Sequence, residues 1–555
     1  MNKLLKILPL SLLFFLGSCG LTDLEEQLDN PNEVTVDNLD ITLLMNKIQA
    51  DFGDFVSQVN EDALQLCRML ALIGGDTYQV AYQATDHNDI WERAYQDVLV
   101  QIETLLPVTD EEGFTLFSGS ARVMKAYVLM TLVDLFGDVP YSEALQGVGN
   151  FNPKPDDGSA VYKEVISILD QAIADLNTTS TVGGTYRDIF YDGNASKWIA
   201  LANTLKLKAN INLRLTEGTT STSAIEALLG ADLIDTDAEE FTYKFGSSDV
   251  PSRSRHPLYL DMYQPIAGSA DNYINNYYML ISYQQKGVED PRWRYYFYRQ
   301  IGSIDAALND EPESIPCVIS PRPAHYGPDQ AWCAFDPGFF GRDHGNSDGL
   351  PPDTRAKTCV GVYPCGGRAD TNADDPNYLV VTQQGQGANG AGIHPIWMAS
   401  FTDFLKAEAA LMLGTSGDDA ALLESGVRKS IERTQAFGAS KGQTVPADLV
   451  ASTDDYVAKV NELYANAATP DAKLDVMMKE YLIALWGNGI EGYNMYRRTG
   501  KPSDMQPMRA ANPGNFVYSL IYPADFVSLN SNATQKDPTA ANKVFWDNNP
   551  DNFIK

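Results

Sequence analysis

The sequence predicts a mainly α chain in which helical pairs stack as an array, interrupted by one long irregular, loop-rich region. Three observations predict this. Apolar residues repeat at helical spacing in two blocks, about 40–216 and 400–487. Adjacent periodic segments recur at roughly 35–45 residues, the range of helical-hairpin repeats. Between the blocks, about 240–398 is rich in Gly, Pro, Asn, Asp, Tyr and Trp and holds few periodic segments. A region that long with little regular structure is usually functional.

In chain order, residues 1–18 read as a lipoprotein signal peptide. Lys3 and Lys6 precede an apolar stretch, Ile7 to Leu16, too short to span a bilayer. Leu16-Gly17-Ser18-Cys19 resembles the bacterial lipobox, which implies cleavage before Cys19 and acylation there, palmitate included. Two or three acyl chains on one residue anchor a protein stably. A secreted protein with a chance cysteine at its cleavage site is the alternative. Residues 19–38 read as a lipidated, flexible tether. Asp23, Glu25, Glu26 and Asp29 there loosely resemble surface-export signals. The remainder, 39–555, reads as a single domain whose last part, 488–555, follows the second helical block.

Within the blocks, Val123, Ala126, Tyr127 and Met130 share one helix face and Leu129, Leu132, Val133 and Phe136 another. A helix apolar on two faces sits between neighbours, and Gly137 and Pro140 end it. Val161 to Leu176 form the next stripe. Trp198, Leu201, Ala202, Leu205 and Ala209 form another, with Ser196 as its expected N-cap. Ser400 to Asp403 resembles a capping box, and Thr469-Pro470 reads as N-cap and first helical residue.

The chain has 41 basic and 73 acidic residues, a net charge of −32. That excess repels phosphate backbones and argues against nucleic acid and against docking on anionic lipid through a basic face. The best internal apolar run, Ala126 to Leu135, contains Thr131 and Asp134, so the body is expected to be tethered to a membrane, not embedded in it.

Of six cysteines, Cys19 is assigned to lipid and Cys67, on an apolar helical pattern, to a buried thiol. Cys317, Cys333, Cys359 and Cys365 all lie in the irregular region. In an exported chain they favour two disulfides, with three connectivities open. A four-thiolate zinc site lacks two close Cys pairs.

Several segments together resemble the SusD/RagB-like outer-membrane lipoproteins, especially their second subgroup. Asp134-Leu135-Phe136-Gly137-Asp138-Val139-Pro140-Tyr141 is similar to a helix-ending segment of that family. So are Tyr162 to Ala172, Lys197-Trp198 to Leu207, Tyr263 to Ala270, Asp290-Pro291-Arg292, Lys406 to Ala410, and Trp486 to Gly500, with Lys501 where a Tyr is often seen. Their order over about 30–530 carries the resemblance. It implies tetratricopeptide-like helical pairs, no enzymatic activity, and nutrient capture at the cell surface. The ligand is often an oligosaccharide, and the partner a SusC-like TonB-dependent transporter that such proteins cap.

Sugar rings pack on aromatic faces while their hydroxyls pair with amides and charged groups. Trp332, Trp91, Tyr78, Tyr273, Tyr277 and Asn276 are therefore the leading ligand-binding candidates. Tyr82, Tyr259, Tyr263, Tyr278, Tyr283, Tyr326, Asn272, Asn275 and Arg292 stand behind them. Tyr295 to Tyr298 reads as core or strand filler.

Other constellations lead nowhere specific. Gly385 to Gly390 matches G-x-G-x-x-G, but Gly392 and Pro395 interrupt the helix a dinucleotide site needs, which leaves a loop. His87, His256, His325, His344 and His394 form no close ligand pair, and no metal site or cofactor is assigned. Asp343, Asn346 and Asp348 could hold a structural calcium, though without the usual loop spacing. Ser120 reads as a helix-entry residue and Asp370 to Asp375 as a solvated run. The leading expectation is thus a surface nutrient-binding lipoprotein. A lipid-anchored helical scaffold for protein partners and a glycoside hydrolase are the alternatives.

Overall fold

The computed structural model describes residues 40–73, 77–180, 182–248, 254–263, 272–283, 285–300, 334–335, 338–345, 357–371, 386–510 and 512–550. Helix α1 spans Ile41–Leu66. The Asp40 carboxylate accepts from the Thr42 and Leu43 amides at its start. Then come α2 (Val100–Glu112), α3 (Thr115–Phe136), α4 (Gly158–Asn177) and α5 (Ala195–Asn212). After the irregular region, α6 (Ala399–Leu413), α7 (Asp419–Ser440), α8 (Thr453–Asn466) and α9 (Pro470–Ala484) resume the pattern, and α10 (Gly489–Thr499) follows.

Consecutive helices pack as antiparallel-type hairpins, α2 on α3, α4 on α5, α6 on α7 and α8 on α9. Helix α5 touches α6, so the array continues across the long insertion. The fold is mainly α and tetratricopeptide-like, as the periodicity predicts. Helix α3 is long and apolar enough to cross a membrane, yet 83% of its apolar window is buried inside the protein. It is the core helix that its two apolar faces predict, and Gly137, at φ +74°, ends it.

Buried charge fastens the array to its C-terminal segment. Glu408 on α6 accepts from Arg214, just beyond α5, at 2.9 Å and from Arg498 on α10 at 2.8 and 2.9 Å. All three side chains are buried. Helix α1 lies along α10 so closely that a Cβ on Gly489 would come within 2.4 Å of the Leu64 nitrogen.

The insertion leaves and rejoins the array at one place. Strand β1 (Phe241–Lys244) pairs antiparallel with β4 (Ile393–Trp397), with a register shift between Phe241 and Thr242. Inside it, β2 (Phe297–Tyr298) pairs with β3 (Cys359–Val360). Arg292 docks the insertion on the second helical block. It donates to both Asp290 oxygens, to Ser430 Oγ at 3.0 Å and to the Tyr456 hydroxyl at 3.2 Å.

Three local expectations need correction. Asn194, not Ser196, caps α5, because its side chain accepts from the Lys197 amide. Helix α6 begins at Ala399 with Met398 as its N-cap. Thr402, from the expected capping box, instead takes the Trp397 indole N–H at 3.0 Å. Asp370 is not solvated: it is buried between Arg299, at 2.8 Å, and Arg294, at 3.4 Å. Thr469 does cap α9, accepting from the Ala472 amide with Pro470 first in the helix.

Candidate functional site

The structure turns most sequence-predicted ligand residues inward. Tyr273, Tyr277, Asn276 and Tyr78 are 7%, 2%, 1% and 3% exposed, too little to offer a ring face or amide to a sugar. Tyr277 donates to Asp504 at 2.8 Å, and Asn276 donates to Asp343 at 2.9 Å. Tyr273 lies among cations, with Lys357 Nζ 4.2 Å and Arg342 4.9 Å from its ring centre. Tyr78 takes a 2.7 Å hydrogen bond from Arg68 and packs on Tyr82, His344 and Phe516. Trp91 is half-buried, with Phe526 and Tyr95 at ring-centre distances of 4.7 and 5.0 Å. Tyr273, Tyr277, Asn276 and Tyr78 serve packing, whereas Trp91 keeps part of its ring exposed. Trp332 and Tyr326 lie outside the described residues.

Most of the second group fares alike, but Asn272 is only partly buried and lines a cleft. Tyr259 and Tyr263 stack on each other at 4.5 Å, and Tyr283 stacks on Trp293 at 4.4 Å. Tyr295 to Tyr298 are buried core, as expected. Cys359 and Cys365 are free buried thiols and not disulfide partners. Burial raises both, Cys359 to about 12. Cys359 sits on β3 inside the insertion's core. Cys317 and Cys333 lie outside the described residues, as do Asn346 and Asp348 of the calcium candidate. The carboxylate of Asp343 is engaged by Asn276 and Gln506. Cys67 is the buried thiol expected. Gly387 and Gly390, at φ +63° and +77°, belong to a tight loop and not to a helix start.

A different cleft opens at the base of the insertion, with a volume of about 270 Å³. Helix α1 supplies Ser57, Asn60 and Glu61. The insertion supplies His256, Asp261 and Asn272, and strand β4 supplies His394. Their positions follow from the pinch: β4 lies against β1 beside α1, which carries His394 to Ser57. Of this set, sequence reasoning named Asn272 and missed the rest, since Ser57 and Asn60 look like ordinary polar positions on a helix. One signal was available: Asn60 and Ser57 fall within a turn of the apolar stripe that includes Val56, Val59 and Ala63.

Two imidazoles set the chemistry. Ser57 Oγ donates to the Gly53 carbonyl at 3.0 Å and lies 2.7 Å from His394 Nε2. The hydrogen-bond pattern therefore assigns the proton to Nε2 and leaves Nδ1 an acceptor. His256 Nδ1 accepts from the Leu258 amide at 3.2 Å, so its Nε2 carries a proton. Among the described residues, neither the His256 Nε2 donor nor the His394 Nδ1 acceptor has a partner. The two rings are 5.0 Å apart. Burial lowers the pKa of both, His394 to about 3, which keeps both neutral. A hydroxyl both accepts and donates, so this neutral pair suits an uncharged polyol better than an ion. Among the described residues, no group of three His, Cys, Asp or Glu side chains could hold a metal ion.

Comparison with known proteins places this architecture. A helical-hairpin array with an irregular insertion pinched off by β1 and β4 defines its class of fold. A family model described as SusD-like, starch-binding and associating with the outer membrane matches residues 31–310. A second, described as SusD and RagB outer membrane lipoprotein, matches residues 379–546. The chain belongs to the SusD-like family. A chitin-binding SusD homolog from Flavobacterium johnsoniae is similar in fold at 16% identity, with TM-score 0.64 and 92% and 99% of the two chains covered. A SusD homolog from Bacteroides uniformis matches at 18% identity, TM-score 0.63, covering 91% and 99%. A further structure, described as a chitin-binding protein, matches at 20% identity, TM-score 0.62, covering 93% and 100%. No curated protein matches the chain.

Proposed function

We propose that this protein captures oligosaccharide at the cell surface without turning it over. Acylated Cys19 would anchor it to the outer membrane, and it would pass ligand to a SusC-like TonB-dependent transporter that it caps. The carrying observation is the cleft between α1, the insertion and β4, where His256 Nε2 and His394 Nδ1 stand as a buried donor and acceptor without partners among the described residues. Unpartnered buried polar groups are costly, so a ligand hydroxyl that gains access to either nitrogen would be held by a hydrogen bond no protein group now makes. Family membership and the printed descriptions of the chitin-binding neighbours support glycan as the ligand class. Tethering beside a transporter offsets weak binding through effective concentration.

The test is calorimetry on protein beginning after Cys19, against chito- and malto-oligosaccharides, with chromatography of the sugars afterwards. We expect binding of at least one series and unchanged sugars. Asn272→Ala and His394→Phe should each weaken that binding roughly tenfold, the scale of one or two lost hydrogen bonds. Shortened oligosaccharides would convert the reading to a hydrolase. Unaltered affinity in both variants would remove the cleft from the site.

A further inference from the structure

A second cavity, of about 340 Å³, opens on the helical array and not on the insertion. It is bounded by the turn before α2, by α2 and α3, and by the loop after α3. Tyr95, Leu99, Glu103, Lys125, Tyr141 and Leu145 are its principal walls. We propose that it is a separate binding site for one or two neutral hexopyranose rings. The proposal rests on the preceding reading for its ligand class only.

Two irregular stretches of backbone face this one cavity. Arg93–Leu99 is a π-helical segment, a conformation that is rare and concentrates at functional sites. It contributes Tyr95 and Leu99 to the cavity wall, and the Tyr95 hydroxyl donates to the Pro140 carbonyl at 2.7 Å. On the opposite wall Leu145 sits at φ +60°, a left-handed conformation that a leucine adopts only when its surroundings compel it. The compulsion is visible. The Asp156 carboxylate accepts from the Tyr141 and Ser142 amides, each at 2.8 Å, and from Ser142 Oγ at 2.6 Å, which ties the loop down.

The lining chemistry selects the ligand. Lys125 and Glu103 form an ion pair at 2.5 Å, with Lys125 13% and Glu103 39% exposed. Lys125 Nζ also stands 5.6 Å from the centre of the Tyr141 ring. The charges cancel, so a charged ligand would have to break the pair. A neutral ring can instead take donors from the ammonium and acceptors from the carboxylate. Tyr141 is half-buried and offers a ring to the C–H face of a sugar, over a floor of Leu99 and Leu129. The volume lies at the small end of the range for ligand pockets, which limits the occupant to a mono- or disaccharide.

The test uses glucose, N-acetylglucosamine, maltose and N,N′-diacetylchitobiose as probes. Each is soaked into crystals of the protein and titrated by NMR against Tyr141→Ala and Glu103→Gln. Both substitutions fall on partly exposed side chains and should leave the fold intact, checked by thermal melting. We expect sugar density against Tyr141 and Glu103, with affinity at this cavity falling roughly tenfold in each variant. That result stands even if the histidine-lined cleft binds nothing. Density in the histidine-lined cleft alone, or affinities unmoved by both variants, overturns this site and leaves the preceding reading intact. Failure of all four sugars to reach the 340 Å³ cavity at saturating concentration also overturns it.

Discussion

The helical array and the insertion hold together by different means. In the array, stripes of aliphatic residues bury against neighbours, as along α3 and α4, and several helix starts are capped, as Asp157 caps α4. In the insertion, order comes from individual pairings. Tyr278 stacks on Trp486, Arg299 and Arg294 meet Asp370, and Arg292 meets Asp290. A stripe tolerates many substitutions because each residue adds a similar increment. A pairing has no such redundancy, so the insertion should fail piecemeal where the array fails as a whole.

The largest test of that contrast is Glu408→Ala. It strands two buried guanidiniums at the junction of α5, α6 and α10. We expect a loss of about 3–5 kcal/mol in denaturant melts, with both helical blocks unfolding together. Next is Gly361→Ala. Its Cβ would come within 2.1 Å of the Tyr295 carbonyl and force β2 and β3 apart. A cost of about 1–3 kcal/mol is expected. Hydrogen exchange should quicken within 290–300 and 357–371 while α6 to α9 stay protected. Uniform quickening would break the distinction between the regions.

A smaller effect is the acid limb of stability. An unfolded histidine takes up its proton near pH 6.5, whereas buried His394 resists protonation until about 3. The unfolded state thus binds more protons across that window. Stability is full above pH 6.5 and falls on acidification by about 1.4 kcal/mol per pH unit for this residue. His394→Phe should flatten that limb in melts from pH 7 to 4, and an unchanged slope would reassign it to other groups. The smallest is Thr469→Ala, which removes the cap of α9 at about 1 kcal/mol and should leave sugar binding untouched.

Legibility in the sequence followed the same division. The periodic stripes and the Thr469-Pro470 cap were readable because burial at helical spacing and local capping leave a pattern along the chain. The N-cap of α5 was misplaced by two residues because Asn194 and Ser196 are both good caps and only the backbone decides between them. The site was far less legible. A tyrosine in the sequence announces a ring but not which way it points, so Tyr273, Tyr277 and Tyr78 read as platforms when they are ballast. His394 and Ser57 are separated by most of the chain and meet only because β4 folds back beside α1. The π-helical turn at Tyr95 leaves no residue signature either, since it is a shift in backbone bonding.

The β1–β4 pairing has an evolutionary corollary. The chain departs at Lys244 and returns at Ile393, partners on adjacent strands, so an insertion of another length could start and end at the same place. Its length and contents can be rewritten without altering how α5 meets α6. One chassis could thereby be refitted around a new insertion while the surface of the array stays as it is.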